Sequence, residues 1–374
     1  MDKQGLIERL KEIVGPENVL SSAMDLALYS YDASLDKATP EVIVLPNSTE
    51  EVSQVMVLAY KEKIPILGRG SGTNLTGGTI PVKGGIVVHF SRMSRIFEID
   101  IPNRTATVEP GVITLDLQTE VLKKGFVYQP DPASQKVSTI GGNIAENAGG
   151  PHCLKYGVTS NHILGLELVL NDGTVVWTGG KSRDNPGYDI AGLFVGCEGT
   201  LGLATKAILK LERAPEAVKT MLAIYDTIED GANTVSAIIA EGIIPATLEM
   251  MDNPIMRAVE ASVKAGYSLD AAAVLIIELD GMPEGMEENA NKIMEICRQN
   301  NVREVKLAKN EAERTVLWAG RKGAFGAVGQ LYPSFLCCDG TVPRTKLPEV
   351  LSQVLEVGKK YDLTIGNVFH AGDG

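Results

Sequence analysis

Ile64-Pro65-Ile66-Leu67-Gly68-Arg69-Gly70-Ser71-Gly72-Thr73-Asn74-Leu75-Thr76-Gly77-Gly78 passes from a short apolar run into a loop with five glycines in its last eleven residues. Glycines this dense let a backbone approach a ligand closely, take φ > 0 without strain and converge successive N–H groups on an anion such as a phosphate. A dinucleotide fingerprint of the Rossmann kind would open a helix at this point. Here the loop leads instead through Thr79-Ile80-Pro81-Val82-Lys83-Gly84-Gly85 into Ile86-Val87-Val88-His89-Phe90, a short, β-branched, glycine-bounded strand. The helix precedes the loop. Ser48 and Glu51 form a capping box for Thr49 to Glu62, with Val52, Val55, Met56, Ala59 and Tyr60 on one face. With a strand at Glu41 to Pro46 before it and Ile64 to Leu67 after it, the order is strand, helix, strand, which predicts a parallel pair. Taken alone, the loop also reads as a surface turn.

The 374 residues predict two or three domains with room for a sizeable core and a buried cofactor. A hydrophobic content of 44% is that of a globular protein, and no apolar run approaches the ~20 residues of a membrane span. The first residues lead into an amphipathic helix (Ile7, Leu10, Ile13, Val14) stopped by Gly15-Pro16, without a signal-peptide core, so a cytoplasmic protein is expected. A net charge of −12 argues against a nucleic-acid partner. Five cysteines, Cys153, Cys197, Cys297, Cys337 and Cys338, lack CxxC spacing and read as free thiols, mostly in the core, rather than a disulfide framework or a zinc or iron–sulfur site.

Further along, Ile96 to Asp100 and Thr105 to Val108 predict a hairpin across Pro102-Asn103-Arg104, and Thr114 opens a helix to Lys124 with Gly125 as its C-cap. Ser138-Thr139-Ile140-Gly141-Gly142-Asn143-Ile144-Ala145-Glu146-Asn147-Ala148-Gly149-Gly150 holds so few bulky side chains that it either packs under other backbone or lines a large flat ligand. His162 to Leu170 and Thr174 to Trp177 form a hairpin about Asn171-Asp172-Gly173. A third cluster, Gly196-Cys197-Glu198-Gly199-Thr200-Leu201-Gly202, enters a strand at Leu203 to Leu211. Three glycine clusters, each beside a strand, read as walls of one cofactor site. After Pro215 glycine thins out and strands alternate with helices: strands at 221–225, 246–250, 273–279 and 304–307, helices at 228–241, 254–265 and 286–300. That order predicts an α+β layer with helices on one face of an antiparallel sheet.

The loop Gly68 to Gly78, the stretch Ser138 to Gly150, the cluster Gly196 to Gly202, Val342-Pro343-Arg344 and His370-Ala371-Gly372-Asp373-Gly374 together resemble the FAD-linked D-2-hydroxy-acid dehydrogenases. These are the glycolate oxidase D subunits and D-lactate dehydrogenases among the vanillyl-alcohol oxidase type flavoproteins. The resemblance runs through nearly the whole chain in the family's order. It implies an α+β fold: a two-subdomain FAD-binding domain of the vanillyl-alcohol oxidase (PCMH) type over 39–213, after an N-terminal helical segment 1–38, then an α+β cap domain with an antiparallel sheet over 214–374. For the cofactor it implies Gly68, Arg69, Gly70, Ser71, Gly72, Thr73 and Gly77 at the FAD pyrophosphate. It further implies Thr139, Gly142, Asn143, Gly149 and Gly150 along the adenosine and isoalloxazine walls, and Asp131, Ser134, Ser138, Gly157, Glu198 and Gly199 as further cofactor-binding residues. Thr73 stands where members with covalent flavin often carry a histidine, so non-covalent FAD is expected. In relatives the last motif continues to a second histidine and an acidic ligand of a divalent metal (zinc, iron or manganese). The sequence ends at Gly374, so His370 is expected to be a lone ligand of an incomplete site, in a cap domain that is itself truncated.

Oxidising a 2-hydroxy acid requires a cation for the carboxylate, a base or Lewis acid at the hydroxyl, and an acceptor for the hydride. Arg321 and Arg344 suit the first role as planar guanidinium groups, and His370 suits the second. Lys346 and Glu249 are supporting candidates, and Trp318 reads as core. His89, His152 and His162 read as structural, with facing the flavin a second reading for His152, which follows Gly149-Gly150-Pro151. The family implies electron transfer to an electron-transferring flavoprotein or an iron–sulfur subunit. Two alternatives stay open: another reaction on the same fold, such as ether-lipid synthesis or sugar-nucleotide reduction, and a flavin-binding subunit with a purely electron-transfer role.

Overall fold

The computed structural model describes residues 1–182, 187–332 and 334–374, to which every count and absence below refers. The chain divides into two compact units, Met1–Gly150 with Gly157–Ala214, and Pro151–Tyr156 with Pro215–Gly374.

In the first unit, β1 (Val19–Leu20), β2 (Val42–Val44), β3 (Ile66–Arg69) and β4 (Ile86–His89) form a sheet in the order β1-β2-β4-β3. The strands on either side of the Thr49–Glu62 helix are therefore not neighbours, because β4 lies between them, parallel to both. Its Ile86, Val87 and Val88 are fully buried and need partners on both sides. Ser48 caps the helix as expected, but Glu51 reaches back to the Asn47 N–H at 2.7 Å, one residue earlier than a standard box. Tyr60 is exposed, and Leu58 is buried with Val52, Val55, Met56 and Ala59. The helix Lys3–Val14 puts Leu6, Ile7, Leu10 and Val14 into this same core. Residues 1–38 are thus built into the first unit rather than standing apart from it.

Next come β5 (Ile96–Asp100), β6 (Thr105–Val108), β7 (Phe126–Val127), β8 (Ile163–Val169), β9 (Val175–Gly179), β10 (Leu203–Lys210) and β11 (Glu212–Arg213). Five of them form an antiparallel sheet in the order β5-β6-β10-β8-β9, and β7 pairs with β11. Both expected hairpins are present; Gly173, at φ +88°, turns the second. The two sheets are tied where the Thr49 hydroxyl donates to Glu167 at 2.5 Å and the Ser53 hydroxyl to the Gly173 carbonyl at 2.6 Å.

The second unit is a five-stranded antiparallel sheet of β12 (Ala217–Tyr225), β13 (Thr247–Asp252), β14 (Ala273–Gly281), β15 (Glu304–Leu307) and β16 (Val368–His370), ordered β15-β12-β14-β13-β16. Helices cover both faces, not one. Ile228–Ala240 and Met286–Gln299 pack over Met221, Ala223, Tyr225, Leu275 and Ile277. Asn253–Ser262, Glu311–Lys322 and Ala324–Leu331 pack over Leu222, Ile224, Met251, Val274 and Ile276. The unbroken apolar runs Met221 to Tyr225 and Ala273 to Leu279 are the signature of strands buried on both sides, where a one-faced sheet would alternate. No helix is long and apolar enough to cross a membrane.

Candidate active site

The second unit carries a polar row across an otherwise apolar sheet face. Thr220 pairs with Glu278, Glu278 with Thr247, and Glu249 with His370 across the strands, and residues directly opposite, or two apart on a strand, share a face. Helix Glu311–Lys322 lies over this row and brings Arg314, Trp318 and Arg321, spaced at four and three residues, onto one side. Glu249, fully buried, is the centre of the first cluster. Its Oε2 accepts from Arg321 Nε at 2.6 Å and its Oε1 meets His370 Nδ1 at 2.5 Å. Arg321 is buried, yet its two Nη groups donate to no described protein group. Arg344 donates to the Gly372 carbonyl at 2.8 Å, and Val342 N–H to the Gly374 carbonyl at 2.6 Å, so the two C-terminal motifs come together through backbone. Lys346 points away and pairs with Glu349.

With Nδ1 of His370 facing the Glu249 carboxyl, the neutral tautomer that donates from Nδ1 leaves the Nε2 lone pair free of any described protein partner. Burial works to lower the His370 pKa, but the hydrogen bond and charge of Glu249 outweigh it and raise the pKa above the ordinary histidine value. Asp373 next to it is raised, first by burial.

Glu278 anchors the second cluster. It accepts from Arg314 Nε and Nη2 at 2.9 Å each, from Trp318 Nε1 at 2.8 Å and from the Thr220 hydroxyl at 2.5 Å. His152 lies 3.5 Å away and stacks on Trp318 with ring centroids 5.5 Å apart. Burial opposes ionisation of Glu278, but the bonds from His152, Arg314 and Thr220 and the Arg314 charge hold its carboxyl far below the usual range. A carboxyl depressed in the folded state contributes stability above its unfolded pKa and loses it as pH falls below that value. Glu278→Gln should therefore cost about 3 kcal/mol at neutral pH, with the gap to the parent narrowing below about pH 4.5. Denaturant unfolding at neutral pH and at about pH 3.5 checks this, and a gap that stays constant contradicts it.

In the first unit, Gly72 and Gly77 take φ +68° and +80°. Gly70 does not have positive φ; what fixes it is space, because a Cβ there would overlap the Thr139 hydroxyl. The low-bulk stretch contains a helix, Ile140–Glu146, capped by the Thr139 hydroxyl on Gly142 N–H at 3.2 Å. Gly141 presses on Pro110, and Gly150 on Asp131. A cavity of about 310 Å³ is lined by Gly70, Ser71 and Thr139 with His89, Ser91 and Gly111 among others.

Matches to known proteins cover both units. Residues 40–179 match the FAD binding domain and residues 214–374 the C-terminal domain of FAD linked oxidases. The glycolate oxidase subunit GlcD of Bacillus subtilis is 46% identical over 98% of this chain and 78% of that protein. The chain belongs to the FAD-linked D-2-hydroxy-acid dehydrogenase family. A D-lactate dehydrogenase of Anaerostipes hadrus is 32% identical over 99% of the chain and 79% of its own length. The fold is also that of 4-ethylphenol oxidase from Gulosibacter chungangensis, with a TM-score of 0.80 at 17% identity over 98% of this chain and 80% of that one. FAD is the cofactor of this family member and the chain is an oxidoreductase.

The first unit fits such a cofactor. From Ser71 to Gly78 no backbone N–H donates to a described protein group, which leaves eight successive donors for an anion. Other residues expected at the FAD are held by protein. Arg69 donates to Thr79 and to the Tyr31 carbonyl, Asn143 to the Thr114 hydroxyl, and Ser138 meets that same hydroxyl. Asp131 is buried, Ser134 accepts from the Val137 and Ser138 N–H groups, Gly157 has φ +79°, and Glu198 and Gly199 turn the third cluster at φ +51° and +73°. No three His, Cys, Asp or Glu side chains that could hold a metal gather among the described residues, and His370 pairs through Nδ1 with Glu249. No disulfide links the cysteines among the described residues, and they are not mostly in the core as expected: only Cys297 is buried, while Cys337 and Cys338 are exposed.

Proposed function

We propose that the chain oxidises a small D-2-hydroxy acid, glycolate or D-lactate, to the 2-oxo acid. The observation that carries this reading is the Glu249 cluster, which presents a basic imidazole nitrogen and an unengaged guanidinium edge side by side. The names of the glycolate oxidase and D-lactate dehydrogenase relatives supply the substrate class. Bound FAD, held by the Gly68 to Gly78 loop and the Thr139 to Gly150 stretch, supplies the acceptor for the hydride that leaves Cα. Arg321 takes the substrate carboxylate through its two Nη groups in parallel hydrogen bonds. Arg344 adds charge through the guanidinium edge not used on Gly372. His370 Nε2 accepts the hydroxyl proton, and Glu249 balances the imidazolium that results. This division of labour makes the 214–374 region the substrate domain, and it has no place in a subunit that only carries electrons.

Electrons then pass to a partner, an iron–sulfur subunit or an electron-transferring flavoprotein; GlcD's designation as a subunit supports a complex. A cytoplasmic setting agrees with five cysteines that form no disulfide among the described residues. The reading is tested by incubating the FAD-loaded protein with D-lactate or glycolate and an artificial acceptor and identifying the product. Pyruvate or glyoxylate supports it; turnover without a 2-oxo acid refutes it. The flavin itself should be non-covalent, since Thr73 cannot form the bond that histidine makes. Acid precipitation should leave the yellow colour in the supernatant, and colour kept in the pellet would show a covalent link.

A further inference from the structure

His370 sits on a strand that has little of its own to hold it. β16 is three residues long, lies at the sheet edge and pairs only with β13, through Glu249 to His370, Met250 to Phe369 and Met251 to Val368. A slip of one residue would turn His370 to the opposite face, away from Glu249. The next pair in this register is Asp252 with Asn367, and there the contacts become dense. Asp252 N–H donates to the Asn367 carbonyl at 3.1 Å. Its buried carboxylate accepts from Asn367 N–H and from Asn367 Nδ2, each at 2.8 Å, through a single oxygen. The other oxygen accepts from Ile255 N–H at 3.2 Å and caps the Asn253–Ser262 helix. A Cβ on Gly366, just before Asn367, would press on the Ile255 side chain.

We propose that Asp252 and Asn367 are positioning residues that lock the register of β16 and so deliver His370 to Glu249. The proposal rests on His370 acting as the base. Three hydrogen bonds at one end of a three-residue strand supply the specification that the strand lacks. The lock should therefore act on the proton-transfer step and leave carboxylate binding at Arg321 unchanged.

The test compares the FAD-loaded parent with Asn367→Ala, Asp252→Asn, His370→Ala and the double variant Asn367→Ala/His370→Ala in anaerobic stopped-flow reduction by D-lactate or glycolate. Asn367→Ala removes the side-chain bond but keeps the helix cap, so it serves even if Asp252→Asn does not fold. It should lower the limiting rate about tenfold or more with little change in substrate affinity, and amide exchange across 366–371 should quicken. The double variant should be no slower than His370→Ala, because a residue acting through His370 has nothing left to position. An Asn367→Ala limiting rate within about twofold of the parent, or a double variant slower by the product of the two single effects, overturns the lock. If His370→Ala itself leaves the rate unchanged, the base assignment fails instead, and the two failures are told apart.

Discussion

Replacing His370 with alanine lowers the limiting rate of flavin reduction by roughly 100-fold or more while FAD content and substrate affinity stay near the parent's. The imidazole is needed only as the hydroxyl proton leaves, so its loss falls on the rate with substrate bound and not on the binding that precedes it. Arg321→Ala makes the contrast, because the carboxylate is present before and during the reaction. A charged hydrogen bond lost from a desolvated site costs on the order of 2 to 5 kcal/mol, so substrate affinity should fall at least about tenfold. Arg321 also pairs with Glu249. Arg321→Lys, which keeps that charge but not the planar edge, separates carboxylate recognition from support of Glu249. Stopped-flow reduction over a range of substrate concentrations reads both constants. If His370→Ala changed only affinity and Arg321→Ala only the limiting rate, the two roles would be reversed.

Gly70→Val abolishes FAD binding while the protein still folds. The valine Cβ would meet the Thr139 hydroxyl, which itself caps the helix at Ile140, so the substitution drives apart the two glycine-rich stretches and disturbs the donors from Ser71 to Gly78. Flavin content per folded protein, with circular dichroism as the folding control, measures this. A folded variant that retains a full complement of FAD would show that the phosphate cradle lies elsewhere.

Much of this was legible in the sequence because it rests on local signals. The second-unit elements up to residue 307 follow from apolar runs and amphipathic stretches, with Thr227 and Asp252 each accepting a hydrogen bond at the start of a helix; the helix Glu311–Lys322 and the strand Val368–His370, which carry Arg321 and His370, lie beyond what those signals reach. The Asn171-Asp172-Gly173 turn fixes its hairpin in the same local way. Strand order is a matter of distant pairing, and nothing in Ile86-Val87-Val88 says that it inserts between β2 and β3. The helix at Ile140–Glu146 is hidden by the low helix propensity of Gly141-Gly142, although Gly141 packs closely on Pro110 and Gly142 N–H is capped by Thr139. Its Thr139 cap was the visible clue. At the site, His370, Arg321 and Arg344 were named from motifs, but Glu249 was given only a supporting part. The clue to its centrality was a single charged residue inside Leu248-Glu249-Met250-Met251, a strand whose burial demands that any carboxylate find partners. The partners come from positions 72 and 121 residues away, which no local reading reaches. Glu278, amid Ile276-Ile277-Glu278-Leu279, carried the same signal and was missed.

This flavoprotein removes two electrons from a small D-2-hydroxy acid. The most direct test is an anaerobic titration of the FAD-loaded protein with D-lactate and, separately, glycolate, following the visible flavin absorbance. At least one of them should bleach the flavin, with one 2-oxo acid formed per flavin reduced, and bleaching should be slow or absent in His370→Ala. A flavin that stays oxidised with both acids, in protein that chemical reductant bleaches normally, would contradict it.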